Sequence, residues 1–196
     1  MARRSDHTRE ELKNLAIQAG YEILQANGPA DFSAREVARR IGYTVGTLYN
    51  VFGSYEGLML HLQGAVLDDW LDALRDDCGD TPSLHELASF YIYYAAKHYN
   101  TWSLLFVRPA TQKEQAPEWY VEKFQRLFAV VEKSLLPHVG GDAAEASRHA
   151  RLLWASLHGI CTLSVTGKLD LLGHESADAM AHRLIDTYLK GMKTHV

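Results

Sequence analysis

The sequence predicts an all-α protein: an N-terminal three-helix unit of helix-turn-helix type, followed by a larger helical domain. Apolar residues recur at three- and four-residue steps in nearly every segment, and no segment shows the sustained alternation of a half-buried strand. Ser or Thr residues able to cap helix N-termini open several of these stretches, and Gly or Pro closes them.

Taken in order, Thr8 with Glu11 forms a capping box. It opens a helix on which Leu12, Leu15, Ala16, Ala19 and Ile23 share one side, until Asn27-Gly28-Pro29 stops it. Ser33 with Glu36 reads as a second capping box, starting a short helix with Val37, Ala38 and Ile41 inward and Gly42 as its close. Thr44 can cap the next short helix, which ends at Phe52-Gly53. Ser54 can cap a long one in which Leu58, Leu62, Val66, Trp70 and Leu74 recur every fourth residue. After Gly79-Asp80-Thr81-Pro82, further helical stretches are expected at 83–107, 117–136, 142–167 and 175–193, separated by Pro109, Pro117, Pro137 and Gly140-Gly141. The expected division is a head of residues 1–56 and a body of residues 57–196. The helix from Ser54 is the natural mechanical link between them.

Composition bounds the function. With 196 residues, 47% hydrophobic, the chain can bury one large core or two modest ones. Its net charge of -4 does not mark a nucleic-acid binder, and residues 1–56 balance seven Lys and Arg against seven Asp and Glu. Placement carries more: Arg3, Arg4, Arg9 and Lys13 crowd the N-terminus, while Arg35, Arg39 and Arg40 cluster on the second helix. The two cysteines, Cys78 and Cys161, lack zinc-ligand spacing, and His158 with Cys161 offers only an i, i+3 pair without a third ligand. No metal or cofactor is expected. No run approaches a membrane span and no secretory signal is evident, so a soluble cytoplasmic protein is expected. There is no nucleophile-base-acid set, phosphate-binding Gly-rich loop or carboxylate cluster to indicate an enzyme, so no catalytic residue is assigned.

A helix-turn-helix needs a small residue where its helices cross, a residue tolerant of positive φ in the turn, and an apolar anchor in the second helix. Ala38, Gly42 and Leu48 supply these in order. With Leu48 and Phe52 inward, Val45, Gly46, Thr47, Tyr49 and Asn50 face out. Gly46 within a helix costs about 1 kcal/mol relative to Ala, which is easier to understand if a duplex must approach the backbone. Tyr49 and Thr47 offer hydroxyls to phosphates or bases, and Ser33 stands at a helix N-terminus. An ordinary helical bundle, with Gly46 incidental and Tyr49 a surface ring, accounts for the spacing alone.

Phe32-Ser33-Ala34-Arg35-Glu36-Val37-Ala38, the run Gly42-Tyr43-Thr44-Val45-Gly46-Thr47-Leu48-Tyr49-Asn50-Val51-Phe52, and Ser54-Tyr55-Glu56-Gly57-Leu58 together resemble the N-terminal domain of TetR-family regulators over about the first 60 residues. The resemblance implies Ser33 and Tyr49 on phosphates, Thr44, Val45, Gly46 and Thr47 at or near base edges, and Arg35 on backbone or base; outward-facing Asn50 completes the DNA-binding set. The chain departs from the family by carrying Val45 and Tyr55 where lysines are frequent, which shifts electrostatic work to the N-terminal arm or to Arg39 and Arg40.

In the body, rings concentrate between Phe90 and Phe128. Tyr91, Tyr94, His98, Trp102, Phe106, Trp119 and Phe124, with Trp154 and His158 further on, are the candidate ligand-binding residues. Tyr91, Tyr94 and His98 would share one helical face, combining apolar surface with polar tips as small-molecule pockets do. An aromatic core accounts equally well for any single ring, and His158 on an apolar helix fits a hydrogen-bonded core residue. Trp154-x-x-x-His158-Gly159 resembles the Trp-His-Gly signature of one group of TetR-like C-terminal domains. The last two helices mix Ala155, Ser156, Gly159, Ala177, Ala179 and Ala181 with Leu157, Ile160, Met180, Leu184, Tyr188 and Leu189, a pattern expected of helices buried on two sides. By the resemblance they pair with a second copy. The function expected is a dimeric regulator, a repressor, that binds palindromic operator DNA and is released by a small, mostly apolar effector. The alternative is a DNA-binding regulator whose body serves only dimerisation or protein interaction.

Overall fold

In the computed structural model, residues 7–107, 116–171, 173 and 175–193 are described. Arg3 and Arg4 of the expected basic arm, and Pro109 among the expected helix separators, lie outside them. The described residues form nine α-helices and no strand: α1 (Arg9–Asn27), α2 (Ala34–Arg40), α3 (Val45–Phe52), α4 (Tyr55–Cys78), α5 (Leu84–Lys97), α6 (Tyr99–Leu104), α7 (Glu118–Leu135), α8 (Ala143–Val165) and α9 (Ala177–Lys193), with short 3-10 turns at Leu136–His138 and Leu169–Leu171.

Local chemistry sets most of these boundaries. The Thr8 hydroxyl accepts from the Glu11 amide while the Glu11 carboxylate accepts from the Thr8 amide, so two orphan donors of α1 are satisfied at once. Thr44 caps α3 by accepting from the Thr47 amide, and the Ser54 hydroxyl accepts from the Gly57 amide at the start of α4. Between α2 and α3 the chain turns through Gly42 at φ +77°, a left-handed conformation suited to glycine. The capping box expected of Ser33 and Glu36 does not form. Ser33 is the N-cap residue of α2 but makes no side-chain capping bond; the Glu36 amide turns to the Ser33 carbonyl, and the Glu36 carboxylate is taken by Arg39 at 2.6 and 2.9 Å.

The expected helix over 83–107 is broken. α5 ends at Lys97, and His98 (φ -114°, ψ 32°) becomes the N-cap of α6. Long-range contacts overrule local propensity here: Asn100 donates to the Gln25 carbonyl in the last turn of α1, and Trp102 and Leu104 are buried. His98 therefore does not continue the α5 face that carries Tyr91 and Tyr94.

The residues group into two compact units. One holds the described chain through Asp68 together with His98–Tyr120; the other holds Asp69–Lys97 and the chain from Val121 onward. Against the expected boundary at 56/57, the unit that contains the helix-turn-helix takes in the first half of α4, all of α6 and the first turn of α7. Its core is built on Leu12, Ala16, Ile23, Val37, Ala38, Leu48, Leu58 and Leu62. In the other unit α5, α8 and α9 pack on one another around Phe90, Leu153, Cys161, Ala181 and Ile185. Among the described residues no helix is long and apolar enough to cross a membrane.

In the first unit, a Cβ added to Gly57 would lie 2.0 Å from the carbonyl oxygen of Phe52. This position requires glycine because backbone meets backbone. Gly57→Ala is expected to cost about 1–3 kcal/mol, the range of overpacked sites. An unchanged midpoint in urea denaturation would contradict that.

Candidate functional site

The outward residues of the helix-turn-helix fall into two groups. Ser33, Arg35, Val45 and Tyr49 line one surface cleft of about 440 Å³, completed by Phe32, Ala34 and Tyr55. The start of α2, the start of α3 and the start of α4 meet there. Tyr49 and Tyr55 are each about one-third exposed, and burial followed by the neighbouring Tyr49 raises the Tyr55 phenol above its ordinary value. The Tyr55 phenol thus stays a neutral donor at neutral pH. Arg35 is exposed and makes no ion pair among the described residues.

Thr44, Gly46, Thr47 and Asn50 lie outside the cleft lining. The two threonine hydroxyls are 2.9 Å apart, and the Thr44 oxygen is already engaged in capping, so Thr47 is held in a fixed rotamer. Gly46 and Asn50 are exposed. A Cβ on Gly46 would meet nothing closer than the Thr44 hydroxyl at 3.8 Å.

Arg39 and Arg40, expected to compensate for the missing lysines, are both engaged within the head. Arg39 pairs with Glu36 at 2.6 Å while remaining 74% exposed, and Arg40 pairs with Glu22 at 3.1 Å. The sequence reading also missed a contact of Arg9. Its guanidinium donates to the carbonyls of Asn50 (3.4 Å) and Val51 (3.2 Å), placing a cation on the C-terminal turn of α3. The signal available was only a basic residue near the N-terminus, since its partners are over forty positions away.

The nine candidate ligand residues divide between the units. His98, Trp102, Phe106 and Trp119 belong to the first, where Trp102 packs on Phe106 at 4.8 Å and Trp119 stacks on His61 at 4.6 Å. Tyr91, Tyr94, Phe124, Trp154 and His158 belong to the second. There Trp70 bridges Tyr94 (5.7 Å) and Tyr91 (5.2 Å), Tyr91 meets His158, and Trp154 stacks on His158 and abuts Phe128. Trp70 and Phe128 were not among the candidates, although their spacing placed them on apolar helix faces. The polar tips are partnered: the Tyr91 phenol lies 2.8 Å from His158 Nδ1, and Tyr94 donates to Asp69 at 2.7 Å.

Phe124 instead lines a groove of about 520 Å³ between α7 and α8, with Val121, Phe128 and Ala129 as apolar surface and Gln125, Glu132, Ser147 and Arg151 as polar groups. Burial pushes the Cys161 thiol up to about 12, leaving it protonated, and no cluster of three or more His, Cys, Asp or Glu among the described residues could hold a metal ion.

Residues 16–62 match the family described as bacterial regulatory proteins, tetR family, and residues 84–188 match the tetracyclin repressor-like C-terminal domain. The latter description does not specify a Trp-His-Gly class. No curated protein matches significantly. A solved protein of unknown function from Rhodococcus sp. RHA1 is similar at 21% identity over 97% of this chain and 98% of that one, with a TM-score of 0.69. A TetR transcriptional regulator from the same organism is similar at 16% identity over 92% and 97%, with a TM-score of 0.63. At such identities these structures speak to the fold.

Burial disfavours the charged form of His158 and lowers its pKa from the ordinary 6.5. The unfolded chain then takes up the proton first as pH falls. The stability this group contributes is complete well above 6.5 and is lost as pH drops from that value through the lower folded one. Between about pH 7.5 and about pH 5.5 the wild type should lose more stability than His158→Gln, read from urea midpoints; parallel pH profiles would refute this.

Proposed function

Because the chain belongs to the tetR family of bacterial regulatory proteins, we propose that this transcriptional regulator is a repressor that binds palindromic operator DNA as a dimer and is released by a small, mostly apolar effector. Ser33, Arg35, Thr44, Val45, Gly46, Thr47, Tyr49 and Asn50 form the DNA surface. The setting is cytoplasmic and the body carries no catalysis.

One observation carries the reading. Gly46 sits in the first turn of α3 on its exposed face, in helical backbone, where an added Cβ would make only an ordinary contact with the Thr44 hydroxyl at 3.8 Å. The fold gains nothing from glycine there and forgoes about 1 kcal/mol of helix propensity. A surface that must be approached closely from outside explains it, and the cleft at Ser33, Arg35, Val45 and Tyr49 beside it supplies hydroxyls and a cation suited to a phosphate backbone.

The dimer reading has parallel support. Leu152, Ala155, Gly159 and Leu163 form one exposed stripe along α8, with Leu152 55% exposed, and a Cβ on Gly159 would meet nothing within 4 Å. On α9, Met180 and Leu184 are half-buried while Asp178, Arg183, Asp186 and Lys190 are exposed. Such a face suits a two-fold helical interface with an apolar α8 centre and a polar α9 margin.

The effector reading is supported by the ring cluster of the second unit and by the α7–α8 groove. Its competitor, a body that only dimerises, is favoured by the mutual pairing of Tyr91 with His158 and of Tyr94 with Asp69, which leaves those tips engaged without any ligand. A thermal-shift screen of apolar compounds separates the two, because only a bound effector raises the melting temperature.

Selection of duplexes from a random pool should enrich an inverted repeat; an unenriched pool overturns the DNA reading. Gly46→Ala should raise fold stability by up to about 1 kcal/mol while weakening operator binding at least about tenfold. A variant that is stabilised yet binds normally would remove Gly46 from the interface. Glu36→Gln and Glu22→Gln should each release an arginine to the phosphates, steepening the slope of log K against log salt by roughly 0.9. Unchanged slopes in both variants would show that neither arginine reaches DNA.

A further inference from the structure

The chain passes between its two compact units three times, once between α5 and α6 and twice within a continuous helix, α4 and α7. The sequence reading gives the linking role to α4 alone. The head-side end of α7 is nevertheless fastened to α4 by two consecutive residues.

Trp119 stacks face to face on His61 of α4, with centroids 4.6 Å apart and planes within 6°. His61 also meets the ring of Phe52, the last residue of α3, at 5.4 Å. One position further on, the Tyr120 phenol donates to Oε1 of Gln63 at 3.0 Å. Gln63 is 3% exposed and its amide nitrogen donates to the carbonyls of Leu104 (2.8 Å) and Val107 (3.2 Å) at the end of α6. Both ends of this side chain are therefore engaged, and the Tyr120 phenol, pushed up to about 12 by burial, remains a donor. Breaking either bond would leave a buried polar group unsatisfied, which favours one discrete arrangement over a sliding contact. His61 and Gln63 lie roughly 200° apart around α4, so the grip resists rotation of that helix as well as translation.

We infer that the first turn of α7 is a positioning element of the DNA-reading helix: Trp119 and Tyr120 hold α4 at His61 and Gln63, and through His61 and Phe52 they set the carbonyl end of α3. This rests on α3 being the helix that contacts DNA. Displacing Trp119 then changes DNA affinity, and by reciprocity DNA bound at α3 is felt at Trp119.

The 196-residue chain labelled with 5-fluorotryptophan contains four tryptophans, and the 19F resonance lost in Trp119→Phe is that of Trp119. Saturating this protein with a duplex it has selected from a random pool should shift that resonance. Trp119→Ala should bind the same duplex about tenfold more weakly, with Trp119→Phe, which keeps a flat ring against His61, restoring most of the loss. If Trp119→Ala does not fold, the 19F shift in the wild type decides. Binding with an unmoved Trp119 resonance, or with wild-type affinity in a folded Trp119→Ala, overturns the inference and leaves the DNA reading intact. Absence of binding to any duplex overturns the DNA reading and the inference with it.

Discussion

The carbonyl end of α3 is the point on which the rest of the head depends. A helix of eight residues cannot hold itself together in water, and its last carbonyls have no partners within the helix. Two other helices supply what it lacks. Arg9 of α1 donates to the Asn50 and Val51 carbonyls, Gly57 of α4 lets its backbone meet the Phe52 carbonyl, and His61 of α4 packs on the Phe52 ring. Leu48 and Phe52 fill the core beneath it. The outward face of α3 can then be chosen with little regard to folding, which is where Gly46 becomes permissible.

Glycines separate fold from function in this chain with unusual clarity. Gly57 is demanded by a backbone contact within the molecule. Gly46 and Gly159 sit in helices where an added Cβ would meet no tight contact, each on a face read as meeting something else, DNA in one case and a second copy in the other. Charge behaves similarly. Arg39 and Arg40 are occupied by Glu36 and Glu22 in exposed pairs of small energetic value, so these cations are restrained without being locked away from phosphates. The balanced charge of the head is thus a matter of pairing as well as of count.

What was legible in the sequence was what local chemistry decides. The caps at Thr8, Thr44 and Ser54, the turn at Gly42 and the inward faces of α1 to α4 follow from neighbours three or four positions apart. Ser33 and Glu36 satisfied the same local rule and failed it because Arg39, also three positions on, competes better for the carboxylate. The break at His98 was invisible for a different reason: periodicity across 83–107 is continuous, and the contacts that end it, Asn100 on Gln25 above all, span the sequence. Trp102 and Tyr91, eleven positions apart, belong to different compact units, a division that sequence neighbourhood does not reveal.

Some polar contacts between residues far apart in sequence bear directly on mechanism. Gln63 reads as an ordinary polar position on an amphipathic helix, and Tyr120 as one more ring; only their apposition across 57 residues makes them a joint. A buried glutamine on α4 carries a desolvation cost that an apolar residue would avoid, and it offsets that cost with three hydrogen bonds of defined direction. Leucine there could contribute comparable burial but no direction. The choice of glutamine thus trades stability for a specified arrangement of α4, α6 and α7, which is what a helix meant to transmit position, and not merely to pack, requires.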